Sequence, residues 1–362
     1  MGQAGTSGLT ALGRHRVGKA CEQASPIRFA PAERPRDSVE VVPLSPIPEI
    51  AAILQAAAPP PGAGPGPAVG DVATRRSNTA AMFTALASSM EVPTDVEVSH
   101  HDLTASDGSV LPLTWYQPTG DRTASAAMLY LHGGGMITSL AETAPVYDIA
   151  VRQYVSRSGV PALMVDYRVA PEYPHPIPVE DCYAALQWLE AHATELNVDP
   201  TRLAVGGDSA GGGLAAAVAL LARDRGGPQL ALQLLIYPML DDRTVVPDPH
   251  LPPEFLVWNY DDNVTGWGAL LGGDSGGAEV SPYAAPARAA DLSGLPPAYI
   301  DVGDLDIFCD EDIDYARRLL AAGVPTELHV FPGCPHGFEI VAADLPVSRQ
   351  ALDNRVRRLA AL

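Results

Sequence analysis

The run VGGDSAGGG at residues 205–213 constrains this chain more than any other part of it. Within it, Gly207 to Gly211 read G-x-S-x-G. The short apolar run Leu203–Gly206 before it reads as a strand, and the uncharged run Ala210–Ala222 reads as a buried helix. A strand that turns directly into a helix strains the backbone at its corner, here Ser209, and leaves no room for bulky side chains two positions to either side. Such a corner lifts the Ser209 hydroxyl above the sheet, at a helix N-terminus whose N–H groups and dipole favour a developing negative charge. Ser209 is therefore read as a nucleophile. A rival reading takes Gly211, Gly213 and Ala216 as a dinucleotide-binding loop. It fails because that motif would start inside the helix, and about 20 residues on, where an acid is needed, Ala231 stands.

The rest of the chain supplies a fold for this corner. Short apolar runs at Ala126–Leu131, Pro161–Val165, Leu203–Gly206, Leu230–Tyr237, Ala298–Val302 and Glu327–Phe331 lack polar alternation, as strands covered on both faces do. Helical stripes separate them; in one, Val179, Cys182, Tyr183, Leu186 and Leu189 share a face. Val96–His100 and Leu111–Tyr116 alternate around the turn Asp107-Gly108 and predict an antiparallel hairpin. The expected class is α/β: a mostly parallel, doubly wound central sheet with helices on both faces. With 362 residues, 47% of them hydrophobic, the chain can bury a large core without a disulfide or metal. Residues 1–40 read as a polar N-terminal extension. Residues 41–95 hold a short helix at Ile47–Ala58 and a loop where Pro and Gly alternate from Pro59 to Pro67. Residues 96–362 form the strand–helix domain. The stretch 240–280 has no strand signal and is expected to join residues 41–95 as a lid over the carboxyl ends of the strands.

Charge and cysteines narrow the function. A formal net charge of −20 excludes nucleic acid and anionic membrane as natural partners, since both need a basic footprint. No run is long and apolar enough for a membrane span, and Arg14, Arg16 and Lys19 interrupt any signal core near the N-terminus. Cys21, Cys182, Cys309 and Cys334 show no metal-ligand spacing and read as reduced thiols of a cytoplasmic protein. A small molecule is the expected partner, no cofactor or metal is implied, and a homodimer is compatible with the pattern.

A second glycine run, His132-Gly133-Gly134-Gly135, follows the strand Ala126–Leu131. Three glycines at a strand end let the backbone approach a ligand and turn N–H groups inward. The amides of Gly133, Gly134 and Ala210 are the expected oxyanion donors. A serine nucleophile also needs a base and an orienting acid. Among nine histidines, His336 stands out because it follows the last predicted strand, in the loop Gly333–Phe338. The loop after Ala298–Val302 offers Asp306, with Asp304 as its rival. Asp310, Glu311 and Asp312 read as first-turn residues of the next helix. Asp208 reads as a tether of the corner, and Trp258 and Trp267 as packing, with a pocket role as the alternative.

Taken in order, HGGGM (132–136), YRVAPEYPHP (167–176), GDSAGG (207–212), DIFCDE (306–311) and HGF (336–338) resemble the bacterial hormone-sensitive-lipase family (family IV) of esterases, from about residue 40 to the C-terminus. The resemblance implies an α/β-hydrolase core with an N-terminal helical cap and a Ser209–Asp306–His336 triad, with Asp306 preferred over Asp304. It also implies carboxylic ester hydrolysis, on short- to medium-chain acyl esters, through an acyl-enzyme. Other acyl transfer on the same triad (amide, lactone or transesterification) and a non-catalytic ligand-binding protein on the same fold are the competing expectations. Cys309 stands where the family commonly has Arg, and the first 40 residues extend beyond its usual start.

Overall fold

The computed structural model describes residues 1, 42–58, 66–120 and 123–362. The expected extension (1–40), Cys21 and most of the Pro59–Pro67 loop lie outside the described residues. In chain order the elements are α1 (Pro48–Ala57), α2 (Val72–Ala87), β1 (Val96–Thr104), β2 (Val110–Pro118), β3 (Ser125–Leu131), α3 (Leu140–Ser158), β4 (Ala162–Val165), α4 (Ile177–Ala191) and β5 (Val198–Asp208). They continue as α5 (Ala210–Arg225), β6 (Leu230–Ile236), α6 (Tyr260–Leu271), β7 (Ala298–Leu305), α7 (Cys309–Ala321), β8 (Thr326–Pro335), α8 (Phe338–Val341) and α9 (Pro346–Ala360).

The strands form one sheet in the order β1-β2-β4-β3-β5-β6-β7-β8. Pairings β1–β2 and β2–β4 are antiparallel, and all others are parallel. Because strand side chains alternate between faces, apolar residues on both parities build two cores. Ala127, Leu129 and Leu131 pack with α4, α5 and α7, while Met128 and Tyr130 pack with α3 and α9. The expected two-sided sheet and the N-terminal hairpin are thus both present. Chain direction across the sheet reverses at β3, whose neighbours are β4 and β5. Crevices at such a reversal, outside the carboxyl ends of the strands, are where open α/β sheets bind ligands. The glycine run follows β3 and the Ser209 corner follows β5, so both sit at that point.

Two strands run further than their apolar runs. β7 continues through Leu305 and β8 through Pro335, with a register shift between Gly303 and Leu305. Asp304 therefore lies inside β7, not in a loop, and His336 is the first residue beyond β8 rather than mid-loop. Glycine makes this possible. A Cβ on Gly303 would stand 1.9 Å from the Cys334 carbonyl oxygen, so only a bare backbone lets the strands close there.

The N-terminal helices are attached differently. α1 buries only Ile50, against a small cluster with Phe331, Cys334 and Phe338, and the Ile47 amide donates to the Gly333 carbonyl at 3.0 Å. In α2 the only buried residue is Arg75. Its guanidinium donates to Asp262 of α6 at 2.8 Å and to the carbonyls of Pro67, Ala68 and Asp71. Arg76 beside it donates to the carbonyls of Ile137 and Ala170 and to both oxygens of Glu172. The stretch 240–280 adds no strand, as expected, yet it contains a true helix. α6 is started by the capping pair Asn259 and Asp262 and buries Trp267 completely. α3, equally absent from the apolar pattern, carries its own start signal, the capping box of Ser139 and Glu142.

Candidate active site

Ser209 occupies the corner with φ 56° and ψ −123°, a conformation that costs an L-residue roughly 1–3 kcal/mol and persists only where neighbours enforce it. The enforcement is steric. A Cβ on Gly211 would lie 2.1 Å from the Leu131 carbonyl oxygen, and one on Gly207 2.4 Å from the same atom. The start of α5 is thus pressed against the end of β3. The Ser209 amide donates to the Ile236 carbonyl at 2.8 Å, tying the corner to β6 as well.

Three of the expected residues meet here. His336 Nε2 is 2.9 Å from Ser209 Oγ, and its Nδ1 is 2.6 Å from Asp306 Oδ2. The residues come from the ends of β5, β7 and β8, and all three are buried, with exposures of 5% (Ser209), 1% (Asp306) and 9% (His336). The second Asp306 oxygen accepts the Phe308 amide at 3.0 Å. Phe308 and Tyr237 set ring edges against the imidazole, with centroids 5.3 and 4.6 Å away. Burial pulls the His336 pKa down, but the charge and hydrogen bond of Asp306, then the charges of Asp208 and Glu339, leave it above the ordinary histidine value. Asp304 is not in this chain of contacts. Its Oδ1 accepts the Gly333 amide at 2.6 Å, which holds the strand leading to His336.

Asp208 is a tether, and a richer one than its position suggests. Its Oδ1 accepts the Tyr130 hydroxyl at 2.8 Å and its Oδ2 the Tyr147 hydroxyl at 2.6 Å. Burial raises its carboxyl to about 6, against the pull of both tyrosines. Tyr147 Oη in turn accepts the Gly133 amide at 2.8 Å. The Gly133 N–H, one of the expected oxyanion donors, is thus engaged by Tyr147 in this structure. The physical reason is that the Tyr147 proton goes to Asp208, leaving its lone pairs for the glycine loop. Of the expected set, Gly134 and Ala210 remain. The loop is clamped from its other side by the Tyr167 hydroxyl, which donates to the His132 carbonyl at 2.6 Å, with the two rings stacked at 4.2 Å. Burial drops the His132 pKa to about 4, so this imidazole stays neutral.

Residues from 240–280 press on the same loop. A Cβ on Gly135 would strike the Trp258 ring at 2.1 Å, and one on Gly266 the Gly135 carbonyl at 2.5 Å. Glu311, in the first turn of α7, holds the segment after β6: its Oε1 accepts the amides of Leu240 (2.7 Å) and Asp241 (3.1 Å), and the Thr244 hydroxyl donates to Oε2. Burial pushes its carboxyl up to about 8. Sequence reading missed Tyr130, Tyr147, Tyr237 and Glu311, because side chains that act by reaching across elements have no local signature. Among the described residues, no group of three or more His, Cys, Asp and Glu is placed to hold a metal ion. No helix there is long and apolar enough to cross a membrane, and Cys182, Cys309 and Cys334 are free thiols.

A sheet with this order, a strained serine at a strand–helix corner and a histidine at the last strand's end define an α/β hydrolase. The alpha/beta hydrolase fold family model matches residues 128–340. The chain belongs to that superfamily and, within it, to the hormone-sensitive-lipase type, family IV. Esterase LipI of Mycobacterium tuberculosis is 37% identical over 260 residues, 69% of this chain and 78% of that protein. Carboxylesterase NlhH of the same organism is 38% identical over 259 residues, 70% and 77% of the two chains. A solved bacterial heroin esterase superposes with a TM-score of 0.77 at 36% identity, covering 88% of this chain and 98% of its own. The protein is a carboxylic ester hydrolase acting on small-molecule esters.

Proposed function

We propose that Ser209, His336 and Asp306 are the catalytic triad and that short acyl esters are the substrates. The observation that carries the reading is the unbroken relay of 2.9 and 2.6 Å from Ser209 Oγ through His336 to Asp306. Ser209 Oγ attacks the ester carbonyl while its proton passes to His336 Nε2. The carbonyl oxygen becomes an oxyanion, which the amides of Gly134 and Ala210 receive at the N-terminus of α5. Asp306 holds the Nδ1–H tautomer and steadies the imidazolium. The carbon–oxygen bond to the alcohol then breaks, and the alcohol leaves with the His336 proton. Water, deprotonated by His336, attacks the acyl-enzyme, and the acid departs as Ser209 regains its proton.

We further propose that α1, α2 and residues 240–280 cap the site. The seating of Trp258 and Gly266 on Gly135 supports a low ceiling and hence short acyl chains. The free thiols support a reducing, cytoplasmic setting. The test is Ser209→Ala with 4-nitrophenyl esters of increasing chain length. The triad acts as a unit, so kcat should fall by several orders of magnitude while the melting temperature holds. A variant that keeps more than about a tenth of the wild-type rate would remove the mechanism.

A further inference from the structure

Behind His336 lies a buried charged cluster that the proposed mechanism does not use. Arg355 of α9 is fully buried and forks onto Asp301 of β7, with Nε–Oδ2 at 2.7 Å and Nη2–Oδ1 at 2.9 Å. Its Nη1 donates to Glu339 Oε1 at 2.5 Å. Glu339 lies in the first turn of α8, three residues after His336, and the same Oε1 accepts the Tyr237 hydroxyl at 2.6 Å. Tyr237 is held from both ends. Its amide donates to the Asp301 carbonyl at 2.6 Å, and Arg355 lies 5.6 Å above its ring. That ring is the one whose edge meets the imidazole at 4.6 Å.

Two carboxylates share one guanidinium, and Glu339 Oε2 is buried with no hydrogen-bond partner among the described residues. Taking charge out of water is costly, so such a cluster is weak evidence for stability. We propose that Glu339 is a positioning residue for His336: through the Tyr237 hydroxyl it fixes the ring that walls the imidazole, and its charge favours the imidazolium formed during turnover. This rests on the triad reading above.

The groups facing His336 are Asp306 and Phe308 after β7, Asp208 and Ser209 at β5, Tyr237 after β6 and Glu339 on α8, with Arg355 and Asp301 behind Tyr237. Among the carboxylates, Asp306 bonds the imidazole directly and Asp208 is held by two tyrosines. Glu339 is the one whose charge can be removed without breaking the relay or the corner.

The test compares Glu339→Gln and Tyr237→Phe with wild type, as pH profiles of kcat and kcat/KM on 4-nitrophenyl acetate, with melting curves and a parallel Ser209→Ala. Glu339→Gln keeps an acceptor oxygen but loses the charge, so the acid limb of kcat/KM should move down by about half a pH unit or more. Tyr237→Phe keeps ring and charge but loses the tie, so kcat should fall about three- to tenfold with KM nearly unchanged and the acid limb in place. Wild-type kcat in Tyr237→Phe together with a wild-type acid limb in Glu339→Gln overturns the proposal, whatever the melting temperatures do. If Glu339→Gln does not fold, kcat of Tyr237→Phe decides alone. An active Ser209→Ala would instead sink the triad reading; an inactive Ser209→Ala beside two wild-type-like variants sinks only this inference.

Discussion

The carboxyl edge of the sheet and helix α2 of the proposed cap are held by opposite means. In α5, every residue from Ala210 to Ala222 is buried, and glycines at 207 and 211 bring backbones closer than any side chain permits. In α2, sixteen residues long, the single buried residue is an arginine. Close packing tolerates almost no displacement, because interiors are as dense as organic crystals and a shift of one methyl group is felt. Ionic tethers at partly exposed sites are softer and weaker. The proposed triad is therefore fixed in a rigid frame, while α2 is attached by a few replaceable contacts. Lids drawn from the less stable parts of a molecule open and close without disturbing the chemistry beneath.

Four substitutions at three places test that contrast. The largest effect is expected at the edge. Asp306→Asn should lower kcat by about 10⁴-fold with little change in melting temperature, because the imidazole loses its orienting charge and tautomer. Asp304→Asn can still accept the Gly333 amide and should cost less than about tenfold. A larger loss at Asp304 would reverse the two assignments.

The middle effect lies at the seam. Glu311 is held at about 8, above the unfolded value of about 4.3. A raised carboxyl stabilises the fold below the unfolded pKa, and that contribution is lost as pH rises through the folded one. Gln mimics the protonated acid. Glu311→Gln and wild type should therefore be nearly equal in stability near pH 4, with the difference growing in favour of Gln by up to about 1.4 kcal/mol per pH unit towards pH 8. Urea melts at four pH values check it, and a difference independent of pH would show that folding leaves the Glu311 pKa where it is in the unfolded chain.

The smallest effect is expected in the cap. Arg75→Ala removes the bond to Asp262 and three bonds to carbonyls, costing about 2–3 kcal/mol of local stability. It should raise KM for longer esters several-fold and leave kcat on the acetate nearly unchanged. A matching collapse of kcat would mean that α2 supports the catalytic loops directly, and the contrast would fail.

Much of this was legible in the chain because it depends on neighbours in sequence. Apolar runs without alternation gave a two-sided sheet, since a covered strand has no solvent face to mark. G-x-S-x-G, three glycines after a strand, and a histidine after the last strand follow from local geometry that only those residue types satisfy. The last strand's end pointed to His336, whereas the choice of Asp306 over Asp304 came from the family resemblance, because the apolar run ended at Val302 and left both acids beyond it. Even the weak elements had local marks, as the Ser139–Glu142 capping box of α3 shows.

What tertiary structure decided is which groups meet across elements. That the Gly133 amide is taken by Tyr147, fourteen residues on and itself held by Asp208, depends on how α3 lies against β3 and β5. Nothing local distinguishes Arg355 from Arg357 and Arg358 on the same helix, yet it is fully buried between Asp301 and Glu339. The extension of β7 past Asp304 needed a bare Gly303 opposite Cys334. Local sequence sets backbone conformation and the face on which apolar side chains fall, because those preferences act over one or two turns. Hydrogen bonds between distant side chains, and the charge state that burial imposes on them, exist only once the packed layers bring the groups within about 3 Å of each other.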